Sequence, residues 1–270
     1  MQNSIFSDSK NVFLDRVDPK EYIQLDRLSA IYSSLKESIQ KPLKMILLYG
    51  KPGTGKSMFL QKVATDLQES QSIFLYATPI LDESAFYRTL AQDIFGIKYK
   101  GPLNFTQFLQ ISDEKNLQNT PVVLLDEAQL YSDELMEKIR LLADTRKIKF
   151  VIVLHKTDDE DLIAKEHFKT RIWESIKLEN STKEELKIYI QKKLMKANCF
   201  DTANMFTHKT VHRIYQLTEG NYRETNKLLY TLFAIYEQYA NNGQAHTFKK
   251  SEISIKFLEM AALHVGLLND

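Results

Sequence analysis

Residues 50–57 read Gly50-Lys51-Pro52-Gly53-Thr54-Gly55-Lys56-Ser57, three glycines leading into a lysine and a serine. Glycine lets a backbone wrap closely around an anion with its N–H groups turned inward. A lysine closing such a loop reaches the outer oxygens of a polyphosphate, and a serine hydroxyl beside it can ligate Mg²⁺. The apolar run Met45–Tyr49 precedes the loop and a helical pattern begins at Met58. The loop therefore joins a strand to a helix N-terminus, whose partial positive charge falls on the same spot. Gly50, Pro52, Gly53, Thr54, Gly55, Lys56, Ser57 and Met58 are the expected phosphate-binding residues.

That spacing is G-x-x-x-x-G-K-[ST], the phosphate loop of nucleoside triphosphatases, which makes ATP and Mg²⁺ the expected cofactors. A second constellation lies about seventy residues on, in Val122-Val123-Leu124-Leu125-Asp126-Glu127. Four apolar residues make a buried strand whose C-terminal end presents two carboxylates. Asp126 is placed to hold Mg²⁺ together with Ser57, and Glu127 to orient and deprotonate the attacking water as general base. The strand Phe150–Leu154 ends at His155-Lys156-Thr157, and one of these three is expected to sense the outermost phosphate. Arg171 precedes a last short strand. Its rigid fork of donors suits charge on a transferring phosphoryl group, and an arginine here could reach the nucleotide of a neighbouring subunit. Arg223 falls in the first turn of a long helix, where a cation opposes the helix dipole. That local conflict suggests a role toward a phosphate.

The elements positioning these groups divide in two. Met45–Tyr49, Ser72–Ala77, Val122–Leu125, Phe150–Leu154 and Glu174–Leu178 read as strands, and helical patterns lie between most of them. Apolar strands alternating with helices predict an α/β core with a parallel sheet covered on both faces. Residues 1–24 read as a polar lead-in and 25–180 as the core. From Ser181-Thr182, either of which can cap a helix with Glu184 or Glu185 in its first turn, only helices follow. They span about 183–197, 207–218, 221–240 and 251–267, a small all-helical domain over 181–270. Phe13 and Val17 of the lead-in are candidates for adenine contact, with core packing the competing reading for Phe13.

Net charge is +1, so no global field draws the chain to nucleic acid or an acidic membrane. Lys192, Lys193, Lys196, Lys209 and Arg213 could still form a local patch for DNA. Cys199 is the single cysteine, which rules out an intrachain disulfide and suits a reducing, cytoplasmic setting. No run of about eighteen apolar residues occurs, and the N-terminus lacks a secretory signal, so direct membrane insertion is not expected.

Taken together, these residues resemble an AAA+ ATPase, and more narrowly the general secretion pathway A (ExeA-like) ATPases. The resemblance rests on Gly50–Ser57, on Leu124-Leu125-Asp126-Glu127-Ala128-Gln129, on Arg171-Ile172, and on Gly220-Asn221-Tyr222-Arg223 followed by Asn226. It implies a P-loop core with a helical lid, ATP at their junction, and activity in a homo-oligomer. Arg171 would be the finger acting in trans, and Arg223 the lid sensor. It also implies assembly or operation of a secretion, type IV pilus or DNA-uptake machine, with an inner-membrane partner recruiting the chain to the membrane. Related ATPases with similar motifs act on DNA in transposition and replication initiation, the alternative function. Tyr222 stands where the family has proline, and His155-Lys156 where it has a polar amide.

Overall fold

The apolar runs that read as strands assemble into one sheet, whose three central strands bury nearly every side chain on both faces. The computed structural model describes residues 5–115, 117–155, 171–243 and 251–268. The strands are β1 (Met45–Gly50), β2 (Ile73–Tyr76), β3 (Val122–Leu125), β4 (Lys149–His155) and β5 (Ile172–Lys177). Their spatial order is β2-β3-β4-β1-β5 and every pair is parallel. All four residues of β3 are buried, whereas β5 at the edge alternates and leaves Trp173 exposed. The expected parallel α/β sheet is present. β4 extends one residue further than expected at each end, and β5 begins directly after Arg171 rather than at Glu174.

Helices α2 (Asp26–Gln40), α3 (Lys56–Leu67), α4 (Glu83–Phe95), α5 (Phe105–Glu114) and α6 (Asp133–Asp144) accompany the sheet. Their starts are written locally. Asp82 accepts from the Ala85 N–H, Asn104 and Gln107 form a capping box, and Ser132 accepts from the Leu135 N–H. Met45, Leu47, Val123, Leu125, Phe150 and Ile152 from the strands pack with Phe86, Leu90 and Ile139 from the helices. Residues 27–52 and 56–178 form this compact unit.

A second compact unit holds residues 179–270, the N-terminal residues up to Asp26, and Gly53–Gly55. Its helices are α1 (Ile5–Val12), α7 (Lys183–Lys196), α8 (Phe200–Asn204), α9 (His208–Thr218), α10 (Tyr222–Asn241) and α11 (Ile255–His264). Of the two candidate caps for α7 it is Thr182 that serves, in a capping box with Glu185, while Ser181 donates its hydroxyl to the Gly220 carbonyl. The short α8 lies outside the expected helices, and α11 is shorter than the 251–267 expected.

The N-terminal segment departs from the expected polar lead-in. Residues 5–12 form a helix, and Phe6 and Phe13 are buried in the core of this unit. Phe13 stacks on Phe233 at 5.9 Å and Phe6 on Tyr236 at 4.9 Å between ring centroids. Phe13 is therefore a core residue and presents no face to an adenine, whereas Val17 is exposed. Some of the basic patch is engaged within the fold, while Lys192, Lys196 and Lys209 stay exposed. Lys192 and Lys196 donate to the Gln24 and Tyr22 carbonyls, and Arg213 pairs with Glu259 at 3.0 Å. Burial pushes the Lys193 ammonium down to about 8, and it lies 5.5 Å from the centre of the Phe13 ring.

Candidate nucleotide site

Because all five strands are parallel, β1, β3 and β4 deliver their C-terminal ends to one edge of the sheet. The register fixes what meets there. Gly50 pairs with His155, and Leu125 pairs with Ile152. The chain leaving β3 at Asp126-Glu127 thus runs beside the last residues of β4, with β1 and its loop on the other side of β4.

After β1 the backbone turns sharply. Gly53 and Gly55 adopt φ of 81° and 88°, a region that L side chains rarely enter. The Gly53 carbonyl accepts the Tyr222 N–H at 3.1 Å, and a Cβ on Gly53 would collide with the Asn221 side chain. Helix α3 begins at Lys56 itself, so the N–H groups of Lys56, Ser57 and Met58 have no acceptor inside their helix. The Lys56 side chain is buried, and its ammonium donates to the Gly50 carbonyl at 2.8 Å and the Lys51 carbonyl at 2.9 Å. Helix N-terminal amides and a buried ammonium curled into the same loop fit a polyphosphate. Thr54 is buried, and Ser57 and Met58 are half-buried.

Asp126 is 2% exposed, and its Oδ1 accepts the N–H of Glu127 at 2.9 Å. Ser57 and Asp126 offer hard oxygen donors of the kind Mg²⁺ takes. Among the described residues no group of three or more His, Cys, Asp or Glu could hold a metal. A Mg²⁺ ion here would draw its remaining ligands from phosphate and water, as Mg²⁺ usually does.

Glu127 is one of few non-glycine residues with a positive φ, at 50°. Such a conformation costs free energy and persists only where its surroundings impose it. Its carboxylate is held at both oxygens. His155 Nε2 lies 3.0 Å from Oε1, and the Gln129 amide donates to Oε2 at 2.5 Å. Gln129 in turn accepts the backbone N–H of His155 at 3.2 Å through its Oε1. Of the three candidate sensors, His155 is thus at the acidic pair, while Lys156 and Thr157 lie outside the described residues. Gln129 is a site residue that the motif spacing does not single out. Its signal was the Asp-Glu-Ala-Gln run, and its partner at His155 is 26 positions away.

Arg171 takes a different place. It stands before β5, and Met45 pairs with Ile172, so it belongs to the edge where the strands begin. Six strand residues, about 20 Å, separate that edge from the phosphate loop. Its Nε is 3.5 Å from Asp144 Oδ2, and Asp144 also binds Lys44 and Arg140 at 2.6 and 2.7 Å. Burial alone would raise the Asp144 carboxyl, but Lys44 above all, with Arg171 and Arg140, holds it below the usual range. Arg223 is exposed in the first turn of α10, whose cap Asn221 accepts from the N–H groups of Arg223 and Glu224.

Residues 40–160 match the AAA domain family. The matched stretch holds the phosphate loop and the acidic pair. No curated protein matches it in sequence. Among solved structures it is similar to Cdc6p from Pyrobaculum aerophilum, at 17% identity and a TM-score of 0.66, over 95% of this chain and 71% of that one. The Aeropyrum pernix ORC1 protein in complex with DNA gives 16% identity and a TM-score of 0.61, over 95% and 69%. The Thermotoga maritima RuvB Holliday junction branch migration motor gives 17% and 0.58, over 93% and 73%. At these identities the likeness is one of fold, the P-loop AAA+ fold. Fold, AAA domain and motifs together are those of an ATPase.

Proposed function

We propose that this chain is a Mg²⁺-dependent ATPase in which Glu127 activates the attacking water. The observation that carries this reading is the placement of Glu127: a strained backbone and two hydrogen-bond donors fix its carboxylate at the sheet edge that also bears the phosphate loop. Backbone amides of the loop after Pro52 and of the α3 N-terminus, with the Lys56 ammonium, would hold the phosphates. Ser57 and Asp126 would orient Mg²⁺, which when bound neutralises charge on the transferring group. Glu127 would take the proton of the water. His155 stands beside it as the polar group at the end of β4, and Arg223 is proposed as the lid sensor.

Arg171 is proposed to act on a neighbouring protomer's nucleotide. Its position supports this, because it stands at the opposite edge of its own sheet from its own loop. Turnover per protomer should then rise with protein concentration as protomers assemble. Arg171→Ala should remove that rise, by about a hundredfold or more at saturation, while leaving ATP affinity within about twofold. Turnover per protomer independent of concentration, or a normal rise in Arg171→Ala, would rule out the trans role.

Two readings of the work done by hydrolysis remain. The names of the similar structures, Cdc6p, ORC1 in complex with DNA and a branch migration motor, support an ATP-switched DNA-binding ATPase. The run Leu124–Gln129, in its likeness to the secretion ATPases, supports assembly or operation of a secretion, pilus or DNA-uptake machine. Among the described residues no helix is long and apolar enough to cross a membrane, so recruitment to one would pass through a partner. On the DNA reading, affinity for duplex DNA with ATP bound should fall at least tenfold between about 50 and 200 mM salt, as phosphate contacts release counterions. Weak binding that ignores salt would return the client to the secretion class.

A further inference from the structure

We infer that Gln129 is the positioning residue for Glu127, a role that rests on the reading of Glu127 as the base. The hydrogen bonds themselves decide which way its amide faces. The backbone N–H of His155 can only donate, so the atom it meets at 3.2 Å is Oε1 of Gln129. That leaves Nε2 to face the carboxylate, where it donates to Glu127 Oε2 at 2.5 Å. Gln129 therefore ties the carboxylate to the main chain at the last residue of β4, which the β1 and β3 ladders hold in register. The one-turn 3₁₀ helix Ala128–Leu130 makes this possible, since it brings residue 129 around beside residue 127. The left-handed backbone at Glu127 is the entry to that turn.

An ionised carboxylate has about four lone-pair sites, two on each oxygen. Gln129 occupies one on Oε2, and His155 lies within hydrogen-bonding reach of Oε1. Two anchors on different oxygens fix the plane of the group as well as its place, and they leave lone pairs on both oxygens to accept a proton from water. The anchors differ in kind. His155 reaches Glu127 with a side chain that can swing away, whereas Gln129 has its far end pinned to main chain. Gln129 is the anchor that persists through any movement of the His155 ring. Orientation within about an ångström is what separates an efficient base from a poor one.

The test separates chemistry from binding. Gln129→Leu keeps nearly the same volume and removes both hydrogen bonds. Its kcat should fall about tenfold, the scale of one charge-assisted hydrogen bond, with KM for ATP and calorimetric ATP affinity within about twofold of wild type. Gln129→Glu, which sets a carboxylate against Glu127, should lose more. Gln129→Asn, one methylene too short to span both partners, should not rescue turnover. Unchanged kcat in Gln129→Leu would overturn the assignment. So would a loss of ATP affinity and melting temperature in step with kcat in both Gln129→Leu and Gln129→Glu, which marks a merely structural residue. Glu127→Gln assayed alongside distinguishes the two levels. If that variant keeps wild-type turnover, the base reading itself fails. If it is inactive while Gln129→Leu is normal, only the positioning role fails.

Discussion

Glu127→Gln is expected to lower ATP turnover by about three orders of magnitude and to leave ATP binding intact, the scale of a lost general base. Glutamine has the shape of glutamate and can still accept from Gln129 or His155 through its one carbonyl oxygen. The substitution removes the charge and the basic lone pairs while disturbing little packing, because the side chain is 29% exposed. The variant should therefore fold, bind ATP and retain it. Single-turnover measurement with labelled ATP checks this directly: nucleotide should recover from the variant as triphosphate long after wild type has converted it. A variant that hydrolyses at more than about a tenth of the wild-type rate would assign the base to another residue.

Lys56→Ala is expected to be the second large effect. The buried Lys56 ammonium is held inside the phosphate loop by the Gly50 and Lys51 carbonyls. A hydrogen bond to a charged partner is worth about 1.5–3 kcal/mol, so ATP affinity should weaken by about ten- to a hundredfold. Turnover should fall further, by about a hundredfold or more, because the same ammonium meets charge that grows during phosphoryl transfer. The deletion also leaves two loop carbonyls without their donor, which costs stability of about 1–3 kcal/mol. Melting curves with and without ATP separate the two effects: wild type should be stabilised by nucleotide far more than the variant.

What could be read from the residues in advance follows from how local each determinant is. The phosphate loop is contiguous, so strand, glycines, lysine and helix start all lie within fourteen residues and were visible together. So were Asp126 and Glu127 at the end of an apolar strand, and the capping pair Thr182 and Glu185. The strand order was not legible, since β1 finds its neighbours β4 and β5 more than a hundred residues away. That order, with the parallel register, is what sets Arg171 at the far edge from the loop. Phe13 was ambiguous for the same reason. Its partner Phe233 lies at the other end of the chain, and the surrounding Ser, Asp, Lys and Asn residues mask the helix beside it. Gln129 is two residues from Glu127, but its meaning depends on the His155 N–H, which only the pairing of β3 with β4 brings near.

Hydrolysis at Glu127 requires a triphosphate held by residues 50–57. Isothermal titration of ATP with Mg²⁺ into the purified, folded chain measures that most directly. The expected result is one binding event per protomer, weakened at least tenfold in Lys56→Ala. Absence of heat at concentrations well above a micromolar dissociation constant, or equal affinity in a folded Lys56→Ala, would contradict it.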